Sequence, residues 1–452
     1  MYTDLATGEM SDGGTAPCEI NSFPGYVYMS SFETGGKPKN MFRGDDLGFG
    51  GWVYAQPGIW YDVALIDVRS EHPWSAINLR YFGEYTDRFK ELVEARGYVK
   101  LRDLETARKV LDGALAPFLP DNVTDEVLDQ LSLALKIAIN SVYGLTSAKF
   151  ENPFRDARNF NNIVALRGAL FMRTLQDEIK KLGFEVAHIK TDSIKIPNAT
   201  PEVIKFCLDF AKKYGYEFEH EATYEKMCLI NNAEYIAAYK RPEDCKAMYG
   251  YVPGDNKKHF EKHDHPWTAT GARFAVPYVF KTLFSHEPIK FKDLCETKSV
   301  TSAIYLDMNE LYEGRIISLE KEMKDIVRKS RLQAKKTGEQ LNDKGVTADY
   351  AEQYDELADE LRNSHDYVFI GRCGQFCPIK EGMGGGLLVR ESKGKMDSVA
   401  GAKGYRWLES EVVEANNKED DIDKSYYVKM VDDAMDIIAS FGDAEAFVET
   451  SK

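Results

Sequence analysis

Five consecutive residues, Val63 to Asp67 (VALID), limit the fold more than any other stretch of this 452-residue chain. An apolar run closed by an acid has the pattern of a strand buried on both faces that delivers its last side chain to a site. Such a strand needs a sheet with cover on both sides. The means are present, since hydrophobic residues make up 43% and aromatic residues 12% of the chain, a composition that argues for a soluble globular protein of two to four subdomains. No apolar run approaches the roughly 18 residues of a membrane span. The start, MYTDLATGEMSDGG, has neither the basic segment nor the apolar stretch of a secretory signal. The seven cysteines are scattered, and the one close pair, Cys373 and Cys377, lacks a second ligand pair. Reduced thiols in a cytoplasm are therefore expected.

The net charge of −15 repels phosphate backbones at long range. Any contact with nucleic acid must then rest on local basic surfaces. In EKEMKDIVRKSRLQAKK, Lys321, Lys324, Arg328, Arg331 and Lys335 recur at spacings of three and four, which puts five cations along one helical face. A Gly-rich segment further on carries Lys393, Lys395, Lys403 and Arg406.

Periodicity places the remaining elements. Residues 1 to about 60 read as irregular structure with short strands. Phe82, Tyr85, Phe89, Leu92 and Val93 repeat at helical spacing, with Arg88, Lys90 and Arg96 on or beside the polar side. A second helix begins near Thr124, a capping residue followed by two acids, and stops at Gly144. Its apolar stripe is expected to be Val127, Leu131, Ala134, Leu135, Ala138 and Val142, while Lys136, Asn140 and Tyr143 share another face. Helices over 161–182 and 201–214 flank the stretch HIKTDSIKIP, which reads as strand, tight turn, strand with Asp192 in the turn. Beyond residue 240 come mixed structure, the strand-like IYLDM and long charged helices from Ile317 to Arg362.

Three fragments carry chemistry. DVRSEHPWS sets Asp67 at a strand end before Ser70, Glu71, His72 and Pro73. KIAINSVYG sets Lys136, Asn140, Tyr143 and Gly144 on one helix. HIKTDS sets Thr191, Asp192 and Ser193 in a turn. In this order and at these spacings they resemble the motifs of the family B DNA polymerases, most closely those of tailed bacteriophages. KIAINSVYG matches the second motif, K-x-x-x-N-S-x-Y-G, at every fixed position. GFGGWVY, with Gly50 and Gly51, is similar to the aromatic-x-Gly-Gly element that touches the template; TGARFAVPYVFKTLF and GAKGYRWLE look like thumb segments. The resemblance spans roughly residues 40 to 445.

That resemblance implies an α+β right-hand polymerase: a palm with an antiparallel sheet, helical fingers and a mixed α/β thumb. The expected division is an N-terminal segment (1–62), palm (63–79), fingers (80–144), palm again (145–240), and thumb with C-terminal region (241–452). It implies addition of dNTPs to a primer 3′-hydroxyl in viral DNA replication, in the cytoplasm of a bacterial host, with no membrane partner. Two Mg²⁺ are the expected cofactors, with Mn²⁺ as a substitute. Hard oxygen ligands suit Mg²⁺, and Asp67, Asp192 and the Val68 carbonyl are the expected set.

Ser70, Glu71, His72, Lys136, Asn140 and Tyr143 are the expected nucleotide contacts, Lys136 as a point charge on the β- and γ-phosphates. His72 stands where the family has a Tyr beneath the sugar, which implies selection of dNTPs over rNTPs. Gly50, Gly51, Gly144, Thr191, Tyr235, Lys321, Lys324, Arg328, Arg331, Lys335, Lys403 and Arg406 are the expected template and primer contacts. One of Arg88, Lys90 and Arg96 is expected to add a phosphate contact.

The chain also departs from the family pattern. Lys190 replaces the first acid of D-T-D-S. The Lys-x-Tyr element appears as Ala233-Glu234-Tyr235. No region before residue 40 has the size of the family's proofreading exonuclease, so a separate exonuclease or N-terminal polymerase subunit is an expected partner. The rival expectation is a catalytically weak or inactive DNA-binding subunit of a split polymerase.

Overall fold

The structure, a computed structural model, describes residues 2–3, 10–11, 23–146, 148, 150–152, 162–309, 311, 313–392 and 394–449. The chain divides into two compact units, residues 1–274 with 437–452, and residues 275–436. Both are mixed α and β, and the strand pairings among the described residues are antiparallel. No helix among the described residues is long and apolar enough to cross a membrane.

The first unit is built around strand β2 (Gly58–Val68), which holds the VALID run. It is the fourth of seven strands, in the order β7 (Trp267–Thr270), β6 (Glu234–Tyr239), β5 (Phe218–Asn231), β2, β4 (Ser193–Ile196), β3 (His188–Lys190) and β1 (Val53–Ala55). Alternation splits the run between two cores. Ala64, Ile66 and Val68 enter the larger one, against Leu170, Phe171 and Leu175 of α4 (Ile163–Lys181) and Val203 and Cys207 of α5 (Pro201–Lys213). Val63 and Leu65 enter a second cluster with Ala187, Ala222, Tyr224 and Met227. The strand is buried on both faces, as its composition predicts.

Local chemistry explains the element boundaries. Thr200 caps α5, its hydroxyl accepting from Val203 N at 3.5 Å, with Pro201 in the first turn. Between α1 (Glu71–Asn78) and α4 lie α2 (Thr86–Lys100) and α3 (Asp125–Thr146). Thr124 Oγ1 accepts from Val127 N at 3.4 Å, so the expected start of α3 is met. Its end is not, since α3 runs two residues beyond Gly144. The stripe also differs from expectation. Leu128, Leu135 and Ile139 are buried, while Val127, Ala134 and Ala138 are exposed. The helix leans its early turns on Ala95 and Val99 of α2 and its later turns on the main core, and that double contact rotates the buried face. The expected helix over 161–182 starts at Ile163, residue 161 lying outside the described residues.

The second unit is a five-stranded sheet in the order β11 (Lys395–Ser398), β10 (Leu387–Ser392), β8 (Glu296–Asp307), β9 (Tyr367–Ile379) and β12 (Arg406–Glu409). Its core gathers Ile304, Leu306, Phe376, Ile379, Trp407 and Tyr427. The charged helices α6 (Glu313–Thr337) and α7 (Ala348–Asn363) fall between β8 and β9.

The hairpin β3–β4 closes through Thr191 and Asp192, with Lys190 paired to Ser193. Of the two turn residues only Thr191 has positive φ, at 59°, the type II′ pattern in which glycine is usual. A β-branched residue there is strained. The turn is held from outside: Thr191 N donates to Trp52 O at 2.9 Å, and Gly51 lies so close that a Cβ there would meet Thr191 Cα at 2.8 Å. Thr191→Gly should therefore raise stability by about 0.5–1 kcal/mol in urea unfolding. Gly51→Ala should lower it by about 2–3 kcal/mol.

Candidate active site

Register sets the site. Asp67, next to last in β2, lies directly opposite Ser193 of β4 and Glu219 of β5, and facing residues of antiparallel strands share a face of the sheet. Val68 N donates to Asp192 O at 2.9 Å, which fastens the turn to the strand end. A bulge in β5 between His220 and Ala222 inserts Glu221 beside this group. Asp67, Asp192, Glu219 and Glu221 thus converge on one cleft of about 920 Å³.

All nine residues expected to hold metal or nucleotide line that cleft. Asp67, Val68, Ser70, Glu71 and His72 come from the β2–α1 passage, Asp192 from the turn, and Lys136, Asn140 and Tyr143 from α3. Lys136 and Asn140 are exposed to it, and Lys136 makes no ion pair among the described residues. Tyr143 is held, its hydroxyl donating to Asn162 Oδ1 at 2.8 Å while Asn162 Nδ2 donates to Phe49 O at 2.7 Å.

Of the three fingers candidates the structure singles out one. Arg88 pairs with Glu91 at 2.6 Å and Asp112 at 2.9 Å, and Lys90 with Glu94 at 3.6 Å. Arg96 lines the cleft and donates to Ser70 Oγ at 3.4 Å; burial lowers its pKa.

The electrostatics are those of crowded acids. Burial, followed by the charges of Asp192 and Glu221, pushes Asp67 up to about 8. Glu221 is raised by burial and then by Asp255 and Glu219. Burial would raise Glu219 too, but Arg69, 3.0 Å away, outweighs it and leaves that pKa lowered. On the same face of the sheet, Lys195 is 4% exposed, and burial brings it down to about 8. Its ammonium lies 3.2 Å from His188 Nδ1 and 4.9 Å from the centre of the Tyr235 ring.

The expected template and primer residues are spread more widely. Gly50 and Gly51 lead into the strand beside Thr191, and Tyr235 lies beneath Lys195, away from the cleft lining. Gly144 sits inside α3 with open space where a Cβ would be. Lys321, Lys324, Arg328, Arg331 and Lys335 are exposed along α6 of the second unit, with Lys324 and Arg328 paired to Glu320 and Asp325. Lys403 is exposed. Arg406 turns its donors to the carbonyls of Gly385 at 2.6 Å and Asn309 at 2.7 Å, where they hold a loop. Lys393 lies outside the described residues. Sequence reasoning missed Lys100, Lys195, Glu219 and Glu221. The acids had a signal, since Glu217, Glu219 and Glu221 alternate with period two, as one face of a strand does.

The donors suit a hard divalent cation. Burial first, and then the neighbouring acids, raise the Asp67 pKa, and a bound divalent ion would offset both. No three His, Cys, Asp or Glu side chains among the described residues are grouped to hold a metal unaided. The protein's share would therefore be two carboxylates and a carbonyl, with water and substrate oxygens completing the shell.

A stability effect follows. Between pH 3.8, where the unfolded chain loses this proton, and about 8, where the native state does, the native state binds more protons. Stability therefore falls as pH rises through that window. At pH 8 Asp67→Asn should raise Tm by several degrees, on the order of 2 kcal/mol after allowance for partial solvation. Mg²⁺ or Mn²⁺ should raise Tm of the wild type and leave that of Asp67→Asn nearly unchanged, as read by scanning calorimetry.

No family model matches the chain, and no curated protein matches it. Among solved structures it is similar to the family B DNA polymerase from the hyperthermophilic archaeon Pyrobaculum calidifontis, at 15% identity and a TM-score of 0.37, over 85% of this chain. The chain spans 46% of the length of that polymerase.

Proposed function

We propose that the chain is a template-directed DNA polymerase that extends a primer 3′-hydroxyl with dNTPs. One observation carries the reading: a strand end, a hairpin turn and a helix, far apart along the chain, line one cleft with Asp67, Asp192 and Lys136 among its walls. In this reading the seven-stranded sheet is the palm, α2 and α3 are fingers, and the second unit is the thumb. Tailed-phage replication is the proposed setting.

Asp67, Asp192 and the Val68 carbonyl would hold two Mg²⁺, which when bound stabilise the attacking and leaving oxygens of an in-line phosphoryl transfer. The remaining work falls to the chain. Lys136, exposed and without an ion pair among the described residues, meets the triphosphate as a compact charge. Arg96, half withdrawn from water, offers planar donors to the same group. Asn140, one turn on, and Tyr143, two turns on, face the nascent base pair, and the Asn162 bond fixes the tyrosine's position for a shape check. The exposed cations of α6 and Lys403 grip duplex phosphates without reading bases.

Primer extension with Mg²⁺ or Mn²⁺ tests the reading. Wild type should add dNTPs, and Asp192→Asn should lower kcat by at least roughly 10²–10³-fold, the scale for losing one charge-stabilising group. Lys136→Ala should act mainly on KM for dNTP. A wild type that binds primer-template but adds nothing with either metal would return the chain to the alternative of a DNA-binding replication subunit.

A further inference from the structure

The cleft contains a buried ion pair whose construction demands a reason. Glu71, in the first turn of α1, is 2% exposed. Its carboxyl fills the space above a glycine of α4, for a Cβ on Gly168 would fall 1.2 Å from Glu71 Oε1. Neither carboxyl oxygen has a well-aligned hydrogen-bond partner among the described residues, and Oε2 lies in a close ion contact 2.6 Å from His72 Nδ1. Burial raises the Glu71 pKa and His72 opposes that rise; a buried carboxylate is kept ionised only where a neighbour answers its charge. Around the pair stand Arg167 from α4, Asp192 from the turn and Tyr143 from α3.

His72 is correspondingly fixed. Its ring meets Tyr143 edge-on with centroids 4.8 Å apart. With Nδ1 committed to Glu71, Nε2 is the nitrogen left for the cleft that His72 lines beside Lys136 and Arg96. Burial alone would lower its pKa, and the Glu71 carboxylate reverses this and leaves it raised.

We infer that His72 is a cationic donor to the substrate, its Nε2–H meeting a phosphate oxygen of the incoming nucleotide, and that buried Glu71 is the positioning residue that holds the ring and its charge. This deepens the nucleotidyl-transfer reading and rests on it. A phosphate is the fitting acceptor because a charged donor gains most from an anion, and Lys136 and Arg96 line the same cleft. The role goes beyond a ring that excludes a 2′-hydroxyl by bulk.

Inorganic tripolyphosphate, titrated calorimetrically into the full chain without DNA, reads this contact apart from catalysis. His72→Phe keeps a ring against Tyr143 and removes the charge, and Glu71→Gln keeps the shape beneath it. Each should weaken binding roughly tenfold, and the double variant should bind no more weakly than His72→Phe alone. In ¹⁵N NMR of the wild type, His72 should titrate above the ordinary imidazole value. Unchanged affinity in His72→Phe, or a His72 that titrates at or below the ordinary imidazole value in the wild type, would overturn the inference whether or not the chain extends primers. Both measurements stand even where Glu71→Gln does not fold. Loss of primer extension with tripolyphosphate binding intact would count against the polymerase reading instead.

Discussion

The first unit depends on the placement of one strand. β2 is the middle strand of seven, apolar on both faces, and cannot be left at an edge without exposing Val63 to Leu65 or Ala64 to Val68. Fixing it between β4 and β5 fixes the residue at its end, so Asp67 faces Ser193 and Glu219 by register alone. Slipping either neighbour by one residue would turn its entire set of side chains to the other face. Hydrophobic burial thereby enforces a concentration of negative charge that electrostatics would disperse.

The cost of that concentration is visible around the cleft. Asp67 and Glu221 are both raised, chiefly by burial. Strain collects there as well. Thr191 has positive φ where the turn meets Gly51, and Ser70 and Asn162 have positive φ at the starts of α1 and α4. All three lie within a residue of, or bonded to, groups that line the cleft. Backbone held this way persists when surrounding packing over-determines it, and here the main core supplies that packing.

Much of the fold was legible because its signals are local. The cap residue Thr124, the apolar run of β2 and the turn at Thr191-Asp192 each act on immediate neighbours and are found where the sequence places them, with Ser193 already in β4. The buried stripe of α3 was misread because two partners share that helix, α2 for its early turns and the main core for its later ones. Periodicity defines a helical face but not how many surfaces lean on it. Arg88, Lys90 and Arg96 were equivalent on paper, and only Glu91, Asp112 and Glu94 distinguish them, by occupying two of the three cations.

By itself the sequence determined the residue types of the chemistry: two acids at strand and turn ends, and a lysine, an asparagine and a tyrosine spaced along one helix. Those depend on 2.0 and 3.6 residue periods, which are properties of the backbone. Only the tertiary structure decided that Glu219 and Glu221 join the acids, that Lys195 is buried on the same face, and that Glu71 is sunk over Gly168 with His72 held against it. Coulomb energies and desolvation depend on distance and burial in space, and a chain read as a line carries neither.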